Sequence, residues 1–314
     1  MKTTERDAAP APIETPPTPR AIARKRRRDS RRRIWRQFRK NKMGMGGLLI
    51  LIFFVLVAVF APLLASRCDL SPVCHPENPA LSPPTKEFWF GTDNAGRSIL
   101  SLTIWGTRIS LIVGVAATLI TVVIGSAIGL TAGYFGKWRE TVLMRVTDWF
   151  LVIPFLPLAI VLSVILTPSL STVIIVIGIT SWPSTARVIR AQVLSVKTRT
   201  YVERARALGA SDWHLMSRHI LPNVGPLIFA NTILIVAIAV LTETTLSFLG
   251  AGPDPAVNIS WGTILEQAFG QGASYSGYWW WIVPPGVAIV LLVLAFTMIG
   301  YALDDILNPK LRAR

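Results

Sequence analysis

Six stretches of this chain are apolar over enough consecutive positions to predict membrane-crossing helices. The first runs from Leu48 to Leu64 and holds Ile50, Phe53, Phe54, Val57 and Phe60 without a charge. The others cover Ile109–Tyr134, Val142–Leu166, Thr172–Ile189, Val224–Phe248 and Trp281–Leu303. About 20 helical residues cross a hydrocarbon core about 30 Å thick. None of the stretches alternates apolar with polar as a barrel strand would, and a backbone in lipid must satisfy its own hydrogen bonds, so the pattern predicts helices. Pro154 and Pro157 are expected to kink the third span and Pro183 the fourth.

Charge changes the picture by giving the spans a direction. Before the first span lie Arg24, Lys25, Arg26, Arg27, Arg28, Arg31, Arg32, Arg33, Arg36, Arg39, Lys40 and Lys42. Lys137 and Arg139 follow span two, and Arg187, Arg190, Lys197, Arg199, Arg204, Arg206 and Arg218 lie between spans four and five. The link 167–171 has no charge, and 250–280 has acids but no base. This alternation predicts cytoplasmic N- and C-termini, the latter carrying Lys310, Arg312 and Arg314, in a multi-pass protein of the cell membrane. The expected division is a disordered basic tail 1–43, a first transmembrane helix 44–66, an extracytoplasmic segment 67–107, a core 108–307 and a C-terminal tail 308–314.

Composition agrees. Of 314 residues, 52% are hydrophobic and 16% charged, too little polar surface for an ordinary water-soluble domain. The net charge of +15 belongs to inner-face basic segments facing membrane lipid rather than to a nucleic-acid reader, for which no folded module is visible. A cleaved or twin-arginine signal is rejected because the basic run continues to Lys42 and the apolar run is too long. Cys68 and Cys74, six residues apart around Pro72 in an oxidising compartment, are expected to pair; free thiols are the alternative. Neighbouring His75 lacks a third ligand for a metal site.

Inside the spans, Gly125, Gly129 and Gly133 form a small-residue stripe for close helix approach, within the subunit or against a partner. Arg145 and Asp148 are expected to pair with each other. Glu243, among Thr242, Thr244 and Thr245, either lines a translocation path or, the preferred reading, makes a structural hydrogen bond to another helix. Trp279, Trp280 and Trp281 are expected to form an interfacial belt.

The segment 198–222 carries the densest local signals. Thr200 and Glu203 have capping-box spacing, Ala205, Ala207 and Leu208 favour helix, and Gly209 supplies a left-handed stop. Ser211 and Asp212 can cap a second helix through Trp213, Leu215 and Met216 that runs up to Pro222 at the membrane entrance. Glu203-Arg204-Ala205-Arg206-Ala207-Leu208-Gly209 with Ile220-Leu221-Pro222 resembles the coupling loop of ATP-binding-cassette importer permeases, more narrowly the dipeptide, oligopeptide and nickel permease family. Phe90 to Ser98, Gly106 to Leu111, Leu246 to Gly250, Ser260-Trp261-Gly262, Pro285-Gly286 and Asn308 to Arg312 are similar to that family too. The pattern looks like its C-type subunit, with Arg204, Thr297, Tyr301, Asp304 and Asn308 as departures.

The resemblance implies an all-α fold of six transmembrane helices of the importer-permease type with cytoplasmic coupling helices between helices 4 and 5. It also implies a heterodimer with a second permease subunit, one or two cytoplasmic ATPase subunits and an extracytoplasmic solute-binding protein. Val202, Ala205 and Leu208 would form the centre of the ATPase contact, with Glu203, Arg204 and Arg206 at its rim. No phosphate-binding loop is found, Gly133 to Lys137 lacking the required spacing, so hydrolysis is expected in partners, with no catalytic residue and no cofactor in this chain. Dipeptides, longer peptides, nickel chelates and some oligosaccharides fit as cargo. Readings of other classes are a membrane enzyme, which would need polar clusters inside spans, and a channel or anchor acting without nucleotide.

Overall fold

A computed structural model describes residues 19–307 apart from 75 and 256. The tail before residue 19, His75, and the Asn308–Arg312 motif with Arg314 lie outside the described residues. Among the described residues the structure is helical, with one isolated bridge between Thr92 and Ser98. The helices are α1 (Pro19–Lys40), α2 (Lys42–Leu64), α3 (Ile99–Phe135), α4 (Lys137–Val152), α5 (Phe155–Ile165), α6 (Leu170–Lys197), α7 (Thr200–Ala207), α8 (Asp212–Phe248), α9 (Trp261–Gly270) and α10 (Trp279–Leu307). Five of them, α2, α3, α6, α8 and α10, are long and apolar enough to cross a membrane; α4 and α5 meet the same measure only as a bent pair, which gives six spans if the pair is one crossing.

Side-chain caps set several starts. Asn41 accepts from the Gly44 amide below α2, Ser98 from the Ser101 amide below α3, and Ser169 from the Thr172 amide below α6. The α3–α6 pair forms the densest contact in the bundle, and the glycine stripe explains it. A Cβ on Gly125 would lie 2.7 Å from Thr185 Cβ, one on Gly129 2.6 Å from the Ala186 carbonyl, and one on Gly133 2.8 Å from Val193 Cβ. The stripe therefore packs inside the subunit, against α6. Lys197 closes this seam by donating to the Gly133 carbonyl at 2.7 Å.

Four expectations need correction. The stretch 19–40, expected to be disordered, is helical: arginine, lysine, alanine and glutamine are good helix formers, and Phe38 finds cover beside Gly44, Ile299 and Ala302. Span three is broken rather than kinked, with α4 and α5 meeting at 86°. Ile153 is extended, as a residue before proline prefers, Pro154 precedes the first turn of α5, and Pro157 lies within that turn, where its missing amide hydrogen costs little. α6, by contrast, continues through Pro183.

Asp148 does not pair with Arg145 but accepts from Arg187 of α6 at 2.6 Å. Arg190 bonds Glu140 two turns earlier on α4, so two ion pairs hold α4 against α6. The run Trp279–Trp281 is not an interfacial belt: within it Trp279 alone is exposed. Trp280 and Trp281 are buried, and the Trp280 indole donates to the Thr92 carbonyl at 3.3 Å.

Cys68 and Cys74 are disulfide-bonded, with Cα atoms 5.5 Å apart. The following segment is organised by Asp93, which is buried and accepts from the Ala95 and Arg97 amides and from Arg97 Nε at 2.6 Å. Arg97 in turn donates to Gln267 of α9 at 2.9 Å.

Candidate functional site

The turn formed by α7 and the start of α8 stands on a hydrophobic base built from three longer helices. Val202 is fully buried there among Tyr134 of α3, Ile189, Val193 and Val196 of α6, and Leu215, Ile220 and Val224 of α8. Ala205 packs against the edge of the same cluster. Val202 is thus an anchor inside the subunit and not part of an exposed docking centre, which corrects the sequence expectation.

Leu208 is the opposite case: it is 88% exposed, and Trp213, five residues further on, is 76% exposed. Glu203, Arg204, Arg206, Ala207 and Gly209 are also exposed. The turn therefore presents two large apolar side chains on a charged rim while its underside is fixed. The exposure of Trp213 is a feature the sequence did not single out, although its place just after a helix cap, off the Leu215–Ile220 face, was the available signal.

The capping box is not formed. Arg199 occupies the N-cap position without a side-chain bond, and its carbonyl accepts from the amides of both Val202 and Glu203, making Thr200 the first residue of α7. The tight exit from α6 leaves that carbonyl, rather than a threonine hydroxyl, facing the first amides. The far end behaves as expected. Gly209 has φ +81°, its amide bonds the Arg206 carbonyl, and the Ala210 amide bonds the Ala205 carbonyl, the pair of bonds that closes a helix on a left-handed residue.

Ser211 caps the next helix by accepting from the His214 amide. That helix does not stop at Leu221 and Pro222. A π-helical turn at Leu215–Ile220 lets it run on to Phe248, with the Leu221 amide reaching the Met216 carbonyl. Pro222 has no amide hydrogen to give, and a widened turn before it absorbs the mismatch. Leu221 and Pro222 are exposed on this continuous helix, about two turns beyond Trp213.

A polar link ties the turn to α3. The Tyr134 hydroxyl donates to Asp212, and the Arg206 guanidinium sits 5.9 Å from the centre of the Tyr134 ring. The turn is thereby joined to the end of the glycine-lined helix.

Glu243 lies elsewhere and does not line an open path. It is fully buried; Ser110 of α3 donates to it at 3.2 Å, Ser247 of α8 at 2.9 Å, and Ser260, the N-cap of α9, bonds it as well. Three serines that the sequence reading did not connect thus make this carboxylate a junction between two spans and the start of α9. Among the described residues no group of three histidine, cysteine or acidic side chains is placed to hold a metal.

Residues 125–313 match the family described as binding-protein-dependent transport system inner membrane component, and residues 31–84 match the N-terminal TM domain of oligopeptide transport permease C. A dipeptide transport system permease protein of Bacillus subtilis is 37% identical over 88% of this chain and 85% of its own length. An oligopeptide transport system permease protein of the same organism is 39% identical, covering 88% of each chain. A glutathione transport system permease protein of Pectobacterium atrosepticum is 33% identical over 90% of this chain and 92% of its own. Among solved structures, an inward-facing methionine ABC transporter superposes with a TM-score of 0.54 at 21% identity, covering 67% of this chain and 97% of that one, a likeness of fold.

Proposed function

Since this chain belongs to the family of binding-protein-dependent transport system inner membrane components, we propose that its α7 turn is the surface through which a partner ATPase drives the passage of short peptides. The chain is a multi-pass membrane permease of the ATP-binding-cassette type, a family of transport subunits rather than enzymes.

The observation that carries the coupling assignment is the contrast between the ends of one short helix: Val202 is locked into the bundle and Leu208 is exposed, as is Trp213 across the turn. A partner that grips Leu208 and Trp213 pushes on a base that includes the ends of α3, α6 and α8, so its closure moves those helices as a body. Hydrolysis then belongs to separate nucleotide-binding subunits. The alternating basic segments support a cytoplasmic side for both the turn and the termini.

Relatives named for dipeptide, oligopeptide and glutathione transport support a peptide cargo. An extracytoplasmic binding protein selects it, and a second permease completes the path. The experiment is uptake and ATPase stimulation in vesicles holding all subunits. Leu208→Arg, exposed and therefore harmless to folding, should abolish both while membrane insertion stays normal. Full uptake by that variant would overturn the coupling assignment.

A further inference from the structure

The basic helix α1 forms one side of an apolar groove near the start of the first span. A cavity of about 350 Å³ is lined by Ile34, Trp35 and Phe38 of α1, Leu48 of α2 and Leu303 of α10, with Phe229 of α8 on its far wall. Phe38 is buried at the floor, and Trp35, half exposed, stacks on it with ring centres 6.1 Å apart. Almost no polar atom faces the space, so water there would find no hydrogen-bond partners.

The groove is not framed neutrally. At about 100° per helical residue, Arg32 and Arg39 flank the Ile34–Trp35–Phe38 stripe on the Trp35 side. Arg33, Arg36 and Lys40 lie on the opposite face of α1, and Lys42 opens α2. α10, packed against α1, carries Asp304 and Asp305 in its last turn, so the six cations between residues 32 and 42 outnumber the acids on the neighbouring helix end. The groove lies beside the first turns of α2, the helix that begins the first span.

We propose that this groove holds one acyl chain of an anionic phospholipid, with Arg32 and Arg39 taking its phosphate. Lipid tails gain little by exchanging one apolar surface for another, so the selectivity rests on the two arginines and the fit on the aromatic floor. The site is distinct from the α7 turn and does not depend on the cargo.

The test uses the purified full-length chain in detergent with equal amounts of phosphatidylglycerol and phosphatidylcholine, bound lipid being counted by native mass spectrometry. Retention of phosphatidylglycerol should exceed that of phosphatidylcholine by about tenfold, the effect of one to two basic residues at a membrane surface. Arg32→Gln with Arg39→Gln should remove that preference, whereas Arg33→Gln with Arg36→Gln should keep it. Leu303→Trp, which fills the groove, should lower phosphatidylglycerol retention with helix content by circular dichroism unchanged. Equal retention of the two lipids, equal loss in both arginine pairs, displacement of the lipid by inorganic phosphate alone, or a chain dimer that retains no lipid would each overturn the proposal.

Discussion

Gly209 and Gly129 are glycines for different physical reasons, and substitution separates them. Gly209 has φ +81° with nothing near its missing side chain, so Gly209→Ala should cost about 1–2 kcal/mol from backbone conformation alone. Gly129 has ordinary helical geometry, but a side chain there meets the α6 backbone at 2.6 Å. Gly129→Val should therefore overpack the seam, costing about 1–3 kcal/mol or more, read as a lowered thermal midpoint in detergent. An unchanged midpoint for Gly129→Val would mean that α3 and α6 are not in close contact.

Glu243 gives a third prediction at this scale. Glu243→Gln keeps volume and most hydrogen bonds and should leave uptake near normal, whereas Glu243→Ala strands the hydroxyls of Ser110 and Ser247 and opens a cavity, with a loss of about 2 kcal/mol or more. Single residues were the least legible part of the sequence. Val202 and Leu208 are six apart, which on a helix places them on different sides, so one apolar trio could not all face a partner. That phase was available; which side faced the bundle was not, because it depends on where Ile189, Val193 and Leu215 sit.

At the scale of elements, composition located every apolar stretch but not how the third would end. Two prolines three residues apart announced a disturbance; the 86° break needs α6 alongside, whose Arg187 and Arg190 take the carboxylates of α4. The Arg187–Asp148 pair is about half exposed on each side, so Asp148→Ala should change stability by less than about 1 kcal/mol. Arg190→Ala, losing a less exposed pair, should have the larger effect in the same thermal scan. The charge of the stretch 19–40 suggests solvation, while its helix-forming residues and the anchor Phe38 favour α1.

The whole molecule was the most legible. Apolar lengths, alternating basic segments and the scattered motifs point to a transporter permease from the sequence alone, and family membership agrees. What stayed hidden was contact between distant segments, such as Arg97 to Gln267 or Tyr134 to Asp212, for which no local pattern exists. The chain has two cysteines, both in the disulfide, so one introduced thiol is a unique probe. The most direct measurement is site-specific crosslinking of Leu208→Cys in vesicles containing the assembled transporter. The account predicts a crosslink to the ATPase subunit whose yield changes with nucleotide; reaction of that thiol with an impermeant reagent from the extracytoplasmic side, and no ATPase crosslink, would contradict it.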